Sequence, residues 1–410
     1  MDIFPDECKE VIIVGAGLSG LYAAYTLLDR DILVLEQETN AGGRILTREK
    51  MGVNYEIGAI FAFEPKFLPA GIVLPSLIEE HGLIGVCSEG RTFFGKNVVD
   101  CLDKFDFRNN EIEEIIDFVN EGARDISCLS PISYKLLNSF FQLIHPGEIC
   151  EYIPQRRLDA FQAFQMGHYE TGNGLLTSSL VEEISSRLHC GVRVLSIEDQ
   201  GSNVVVTIRD REQIKRLFAK AVICSIPAHE ASQIITHAES PCRLFLDGIR
   251  YGKASLSVLA IPENLIPEFS YIATPDLATT TVARQKTAVD GLVLLYFYYM
   301  GVKAAPVRKM QATEMVKIAL QTLDALGFGN FSEEKIIFAD DYHWDMISPI
   351  ISEESYGAWD IEKIHPSKRL FLAGDYTHVD SQHLMPYGMS AAIFSAKKAA
   401  EQVQHLLENR

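Results

Sequence analysis

The segment Gly15-Ala16-Gly17-Leu18-Ser19-Gly20 lies between an apolar run, Val11-Ile12-Ile13-Val14, and a helical stretch from Leu21 to about Leu28. No other feature of the sequence restricts the fold as tightly. A strand must enter a tight turn at Gly15, the backbone at Gly17 must approach a bulky ligand, and Gly20 must let helix and strand pack closely. The helix N-terminus, with Leu18 and Ser19 in the turn leading into it, then offers unbonded N–H groups and the positive end of the helix dipole to an anion. A second strand, Ile32 to Leu35, leads into Glu36, one βαβ unit after the first glycine. There a carboxylate accepts ribose hydroxyls and repels a 2′-phosphate. Strand, glycines, helix, strand and acid in this order read as a dinucleotide site, not as a bare glycine-rich turn.

With 410 residues the chain is too long for one ordinary core. Residues 74–164 read as mainly helical, with Ile112, Ile115, Ile116 and Val119 on one face. Strands are expected at Val192–Ile197, Val204–Arg209, Ala221–Ser225, Ala254–Ala260 and Leu292–Tyr299, and helices at Leu175–Leu188 and Arg308–Leu326. A last unit runs from a strand, Leu370–Leu372, through Gly374-Asp375 to a helix from Gly388 to about Leu407. Both ends of the chain therefore look like nucleotide-binding pieces, with other material inserted between them.

The residues after Glu36 separate one dinucleotide from another. Ala41-Gly42-Gly43-Arg44 and Glu56-Ile57-Gly58-Ala59 follow it. Together with the glycine turn they resemble the extended fingerprint of the flavin-containing amine oxidases, a family that includes monoamine, polyamine and L-amino-acid oxidases. The resemblance implies FAD as cofactor. It places Gly43 and Arg44 beside the pyrophosphate and flavin, where Arg44 supplies a planar cation, and Gly58-Ala59 against the isoalloxazine. It extends to Tyr169-Glu170-Thr171-Gly172-Asn173-Gly174-Leu175, to Val192-Arg193-Val194 and to Leu372-Ala373-Gly374-Asp375. By the same resemblance the backbone of Val194 holds the adenine, Asp375 accepts a hydrogen bond from the ribityl or pyrophosphate region, and Trp344 packs near the flavin. The helix from Gly388 and Met389 aims its N-terminal amides at the flavin C2 oxygen, which favours negative charge on the reduced ring. The implied class is α/β: a discontinuous Rossmann-like FAD-binding domain (1–73, 165–240, 340–410) with an inserted α+β substrate domain. That domain comprises a helical subdomain (74–164) and a sheet-containing part (241–339).

Three positions depart from the family pattern. Ala358 occupies the slot where monoamine oxidases carry a flavin-linking cysteine, so the FAD is expected to be non-covalent. Trp359 falls at one wall of the family's aromatic sandwich, but the other wall aligns with Gly388, with Tyr387 just before it. Leu256 takes the slot of the family's N5-side lysine, while Lys253 lies three residues earlier, on the opposite face of a regular strand. Either a local irregularity brings Lys253 to the flavin or the lysine is absent, and absence is the favoured reading.

The implied reaction oxidises an amine or amino acid to an imine, with a hydride equivalent passing to flavin N5 and reoxidation by O2 to H2O2. The apolar stretch Gly58 to Phe63 lacks the arginine of short tryptophan oxidases, which favours an amine; Arg156 and Arg157 remain as possible carboxylate ligands. His378 and His383 precede the final helix, and neither is given a proton-transfer role. A flavin desaturase, a porphyrinogen- or carotenoid-type oxidase, and a non-catalytic FAD-binding protein stay open as alternatives. A formal charge of -18 disfavours nucleic acid and anionic membranes as partners. The apolar run Gly291–Val302 is too short to span a bilayer and reads as a buried strand. An acidic Met1–Glu10 and a polar Gln402–Arg410 suggest neither signal peptide nor membrane anchor. Eight scattered cysteines without a Cys-x-x-Cys suggest no metal site and a reducing, cytoplasmic setting. The oligomeric state is not legible.

Overall fold

The computed structural model describes residues 8–60, 62–63, 73–75, 84–85, 90–94, 97–101, 110–142, 144–157, 166–169, 171–237, 240–329, 331–357, 366–377 and 388–409. The chain opens with strand β1 (Lys9–Val14), helix α1 (Leu18–Thr26) and strand β2 (Ile32–Leu35), which lies parallel to β1. All four residues of β2 are buried, as expected of a strand covered on both faces. A hairpin follows, β3 (Thr47–Lys50) and β4 (Val53–Glu56). Its two-residue turn, Met51-Gly52, has positive φ at both positions, which matches the twist of tight hairpins.

After an interval outside this sheet the chain returns as helix α2 (Gly174–Ile184) and a meander of β5 (Val192–Asp199), β6 (Val204–Asp210) and β7 (Gln213–Cys224). The first half of β7 pairs antiparallel with β6, and its second half pairs parallel with β1. This strand begins eight residues before the expected Ala221. Its first residues, Gln213-Ile214-Lys215-Arg216, are largely exposed because they form an outlying part of the meander, and no apolar run marks them.

Helix α3 (Ala228–Ile234) leads into the inserted part, whose sheet is built on β8 (Arg250–Pro262) and β9 (Leu292–Met300). Every residue of β9 is buried. One face, with Leu294, Tyr296 and Tyr298, packs on Val53, Tyr55 and Ile57 of the hairpin region. The other, with Val293, Leu295, Phe297 and Tyr299, packs on Met315, Ala319 and Leu323 of helix α4 (Ala312–Ala325). Burial on both faces explains an unbroken apolar run too short for a membrane. No described helix is long and apolar enough to cross one. Strand β10 (Phe338–Ile350) forms the edge of this sheet beside β8.

Two expectations are corrected here. The region 74–164 does hold helices, at Asn110–Asn120 and Pro131–Phe141, but it also sends a hairpin, Gly90–Phe94 with Asn97–Cys101, into the second sheet. In the first of those helices Ile115 is buried and Val119 packs against the core, as expected, but Ile116 is 41% exposed and Phe118 is buried in its place. Strand β10 crosses residue 340, so the boundary drawn there cuts a continuous strand.

The chain closes the first sheet with β11 (Leu370–Leu372), parallel to the end of β7, and helix α5 (Gly388–Glu408). Helices α1 and α5 pack together through small side chains, Ala23 and Ala24 on one and Ala392, Ala396, Ala399 and Ala400 on the other. Small residues let two backbones approach, so the glycine turn and the C-terminal helix end up side by side.

A buried carboxyl ties the hairpin to α2. Glu56 is 1% exposed, and its Oε1 accepts from the Asn173 N–H at 2.6 Å and from the Thr47 hydroxyl at 2.8 Å. Its Oε2 has no partner among the described residues. Burial pushes the acid up to about 7, despite the two donors that favour the charged form. Unfolded, the same group titrates near 4.5. The folded state therefore holds a proton that the unfolded chain has lost between these values, and stability falls as pH rises through that window, by roughly 3 kcal/mol in all. Gln cannot lose a proton and keeps an acceptor oxygen. The melting-temperature difference between wild type and Glu56→Gln should thus shift in favour of the variant between pH 4.5 and pH 8. A difference that stays flat with pH would mean Glu56 is ionised in the fold.

Candidate cofactor site

A cleft of about 730 Å3 runs along the ends of β1, β2 and β7. Gly15, Gly17, Leu18, Ser19, Glu36, Gly43, Arg44, Ala59, Val194, Trp344, Gly374, Asp375, Gly388 and Met389 all line it. Positions scattered from residue 15 to residue 389 are thus brought to one surface. Gly20 and Gly58 do not line it. They act behind it: a Cβ on Gly20 would sit 1.9 Å from the Gly15 carbonyl oxygen, and one on Gly58 would sit 2.2 Å from that of Arg44.

The floor is a meeting of two glycine segments. Gly17 is the N-cap of α1, and no side chain caps that terminus. Its unbonded N–H groups therefore remain available to a ligand. Gly43 has φ +61, and a Cβ there would lie 3.0 Å from the Gly17 Cα. Gly42 bridges Gly17, and its N–H donates to the Ala16 carbonyl at 2.9 Å. A side chain at these positions would fill the cradle that a pyrophosphate needs.

Glu36 is 8% exposed at the end of β2. One carboxylate oxygen accepts from the Ala16 N–H at 2.7 Å and the other from the Glu38 N–H at 2.9 Å. A carboxylate offers about four acceptor sites, so its position is fixed and it keeps capacity for two hydroxyls. Val194 lies beside it at a bulge in β5, where the register with β6 slips between Val194 and Ser196. A bulge leaves backbone groups outside the ladder, free for a ligand edge.

Arg44 has a more specific partner than expected. Its guanidinium grips Asp375 with two bonds of 2.8 Å and also donates to the Ile347 carbonyl at 2.9 Å. Burial alone would lower its pKa, but the Asp375 charge more than offsets this and raises it. Asp375 is 6% exposed with both oxygens engaged. The two residues expected to face the cofactor separately thus form a neutral pair in the cleft wall, with Tyr251 beneath the guanidinium at 6.0 Å.

On the substrate-domain side, Trp344 donates from Nε1 to the Ile57 carbonyl at 2.5 Å. Asn173, fully buried, donates to the carbonyls of Ala59 and Ile60 at 2.9 and 2.7 Å. The Ile57–Ile60 backbone is held from both sides. Asn173 and Thr47 were not singled out in the sequence; the flanking Gly172 and Gly174, both crowded against Thr47, were the available signal. The wall formed by Glu230, Gln233 and Ile234 of α3 had no sequence signal at all.

Lys253 does not line the cleft and is exposed. The ladder between β8 and β10 does slip there, between Gly252 and Ala254, but the bulge belongs to β10, where Asp345, Met346 and Ile347 stand opposite the single Lys253. Leu256 is 2% exposed on the face toward Tyr55 and Ile57. Ala358, Trp359, Tyr387, His378 and His383 lie outside the described residues. Among the described residues no group of His, Cys, Asp or Glu is arranged to hold a metal.

Residues 103–404 match the family model of flavin containing amine oxidoreductases, and residues 13–69 match that of the NAD(P)-binding Rossmann-like domain. Cyclohexylamine oxidase from Brevibacterium oxydans IH-35A superposes with a TM-score of 0.76 at 16% identity, covering 98% of this chain and 100% of that one. Putrescine oxidase bound to putrescine gives 0.72 at 15% identity, with 98% and 100% covered. These two likenesses speak for the fold. A corticosteroid-binding protein of Candida albicans (strain SC5314 / ATCC MYA-2876) is 43% identical over 63 residues, which is 13% of this chain and 13% of that protein. The family match spans most of the chain and agrees with a cleft whose glycine cradle and ribose acid fit FAD, so the chain belongs to the flavin-containing amine oxidoreductases and is an FAD-dependent oxidoreductase.

Proposed function

We propose that the protein is an amine oxidase that converts an apolar primary or secondary amine to its imine and passes the electrons to O2. The observation that carries the amine over an amino acid is the charge of the described cleft. Its acids are Glu36, Glu38, Glu230, Asp345 and Asp375, and its arginines are Arg44 and Arg193. Arg44 is committed to Asp375, and Arg193 is exposed on β5 between Val192 and Val194, the stretch assigned to the adenine end of the cofactor and not to the substrate. Arg157, a possible carboxylate ligand from the sequence, spends Nε and Nη1 on the carbonyls of Tyr152, Ala123 and Arg124. An amino-acid substrate needs a free cation for its carboxylate, and an amine does not. The names of the two structural neighbours, both amine oxidases, support the same class.

FAD, when bound, supplies the hydride acceptor. The chain's own residues position it and keep water out. The amides at the start of α1 receive the pyrophosphate, and Glu36 receives the ribose. The Ile57–Ile60 backbone, clamped by Trp344 at Ile57 and by Asn173 at Ala59 and Ile60, gives the ring a rigid backing. The N-terminus of α5 directs its dipole at the ring, favouring negative charge there. The flavin is held without a covalent bond, since Ala358 offers no sulfur.

Anaerobic mixing with a panel of amines and amino acids tests the substrate class. Cyclic and alkyl amines should bleach the flavin absorption, and peroxide should appear on admitting air. Bleaching by amino acids alone, or by none of the panel, would reject the amine reading.

Acid denaturation should release all flavin as FAD into the supernatant. Glu36→Lys should abolish FAD retention and Glu36→Gln should weaken it, since a hydrogen bond to a charged group contributes about 1.5–3 kcal/mol. Full flavin occupancy in the lysine variant would show that Glu36 is not at the ribose.

Lys253→Met should leave flavin reoxidation by oxygen nearly unchanged in stopped flow, because Lys253 is exposed and is not part of the cleft lining. A tenfold slowing, about 1.4 kcal/mol in the barrier, would restore Lys253 as the N5-side lysine.

A further inference from the structure

Glu230 is a half-buried acid in the cleft wall. The other sheltered acids of that wall are satisfied: Glu36 by two backbone N–H groups and Asp375 by Arg44. Exposed Asp345 pairs with Arg308. Glu230 alone among the sheltered ones has neither a hydrogen bond nor an ion pair among the described residues. A carboxylate withdrawn from water without a partner is costly, so its position implies a donor that arrives with the ligand. A first-turn acid also favours the helix dipole, and Glu230 is one. That account does not explain why the side chain lines the cleft instead of facing solvent.

The ligand's own chemistry narrows the donor. FAD carries a pyrophosphate, which a carboxylate repels, and three sets of donors: the ribose hydroxyls, the adenine amine and the ribityl hydroxyls. The ribose belongs to Glu36, and the adenine end lies along Val192 to Val194. Helix α3 packs on β5, but its first turn, which carries Glu230, reaches toward the other end, where the Ala228 N–H meets Tyr251 beside Arg44. Glu230 acts electrostatically on the hydroxyl of Tyr251, as do Arg44 and Asp375. That hydroxyl accepts from the N–H of Ala228, two residues before Glu230. Ile226, on the same segment, closes on Gly15, where a Cβ would meet its Cγ2 at 2.9 Å. The position is therefore past the glycine turn, beside the Arg44–Asp375 pair.

We propose that Glu230 is a cofactor-binding residue whose carboxylate accepts a ribityl hydroxyl of FAD. The inference rests on FAD as the cofactor but not on the substrate class. It assigns the fixing of the flavin half to α3, an element that the glycine motifs do not touch. It also divides the two ends of FAD between two carboxylates, Glu36 and Glu230.

Binding of FAD and of ADP to the apoprotein, followed by calorimetry, tests it. ADP shares the adenosine diphosphate half and lacks the ribityl chain. Glu230→Gln and Glu230→Ala should each weaken FAD by about tenfold or more and leave ADP within twofold of wild type. Because wild-type ADP affinity reports on the dinucleotide cradle itself, a failure of the cradle is distinguished from a failure of this assignment. Unchanged FAD affinity in both variants would overturn the proposal. So would equal weakening of FAD and ADP, which would place Glu230 on the adenosine half or make its role structural.

Discussion

The ion pair between Arg44 and Asp375 joins positions 331 residues apart. With its third bond, to the carbonyl of Ile347, it fastens the glycine segment, the last strand–turn unit and the edge of the inserted sheet at one point. Buried charge pairs gain little over apolar packing of the same volume, but removing one partner leaves an uncompensated charge and costs about 3–5 kcal/mol. The pair therefore acts as a requirement that three segments arrive together. The cleft is the space left when they do, and its shape depends on that junction more than on any single wall.

The same junction changes the electrostatics of cofactor binding. With Arg44 neutralised by Asp375, a pyrophosphate bound as proposed above would meet backbone amides, the N-terminus of α1 among them, in place of a free side-chain cation. Backbone donors are fixed by the fold and lose no side-chain entropy on binding. A cradle of this kind tolerates sequence change around it, provided the glycines stay.

Much of this was legible in the sequence where the chemistry is local. The turn at Gly15 to Gly20, the acid at Glu36 and the strands of the first sheet follow from short-range rules, because each constraint acts within one βαβ unit. The apolar stretch 292–300 was correctly readable as a strand, since only burial on both faces calls for that composition. What escaped were the partnerships between distant segments. Nothing near Arg44 announces Asp375, and nothing near Glu56 announces Asn173. The hairpin at 90–101 was hidden because its residues join a sheet whose other strands lie far along the chain. The start of β7 was missed because exposed antiparallel strands carry no apolar run. Trp359 and Tyr387, which the family resemblance assigns to the substrate face, fall outside the described residues.

Strand β7 is shared: its second half pairs with β1 on one side and β11 on the other. The final described strand and the turn at Gly374 thus slot into a sheet whose other members are all translated more than a hundred residues earlier. During synthesis the N-terminal βαβ unit emerges with its glycine turn and Glu36 in place, yet with one wall of the cleft still inside the ribosome. Domains that fold as they emerge can bury their cores early, but this one cannot enclose its cofactor until Asp375 and the start of α5 have been made. Acquisition of FAD consequently waits until those residues have been made, and a yellow colour certifies a chain translated at least that far as well as folded.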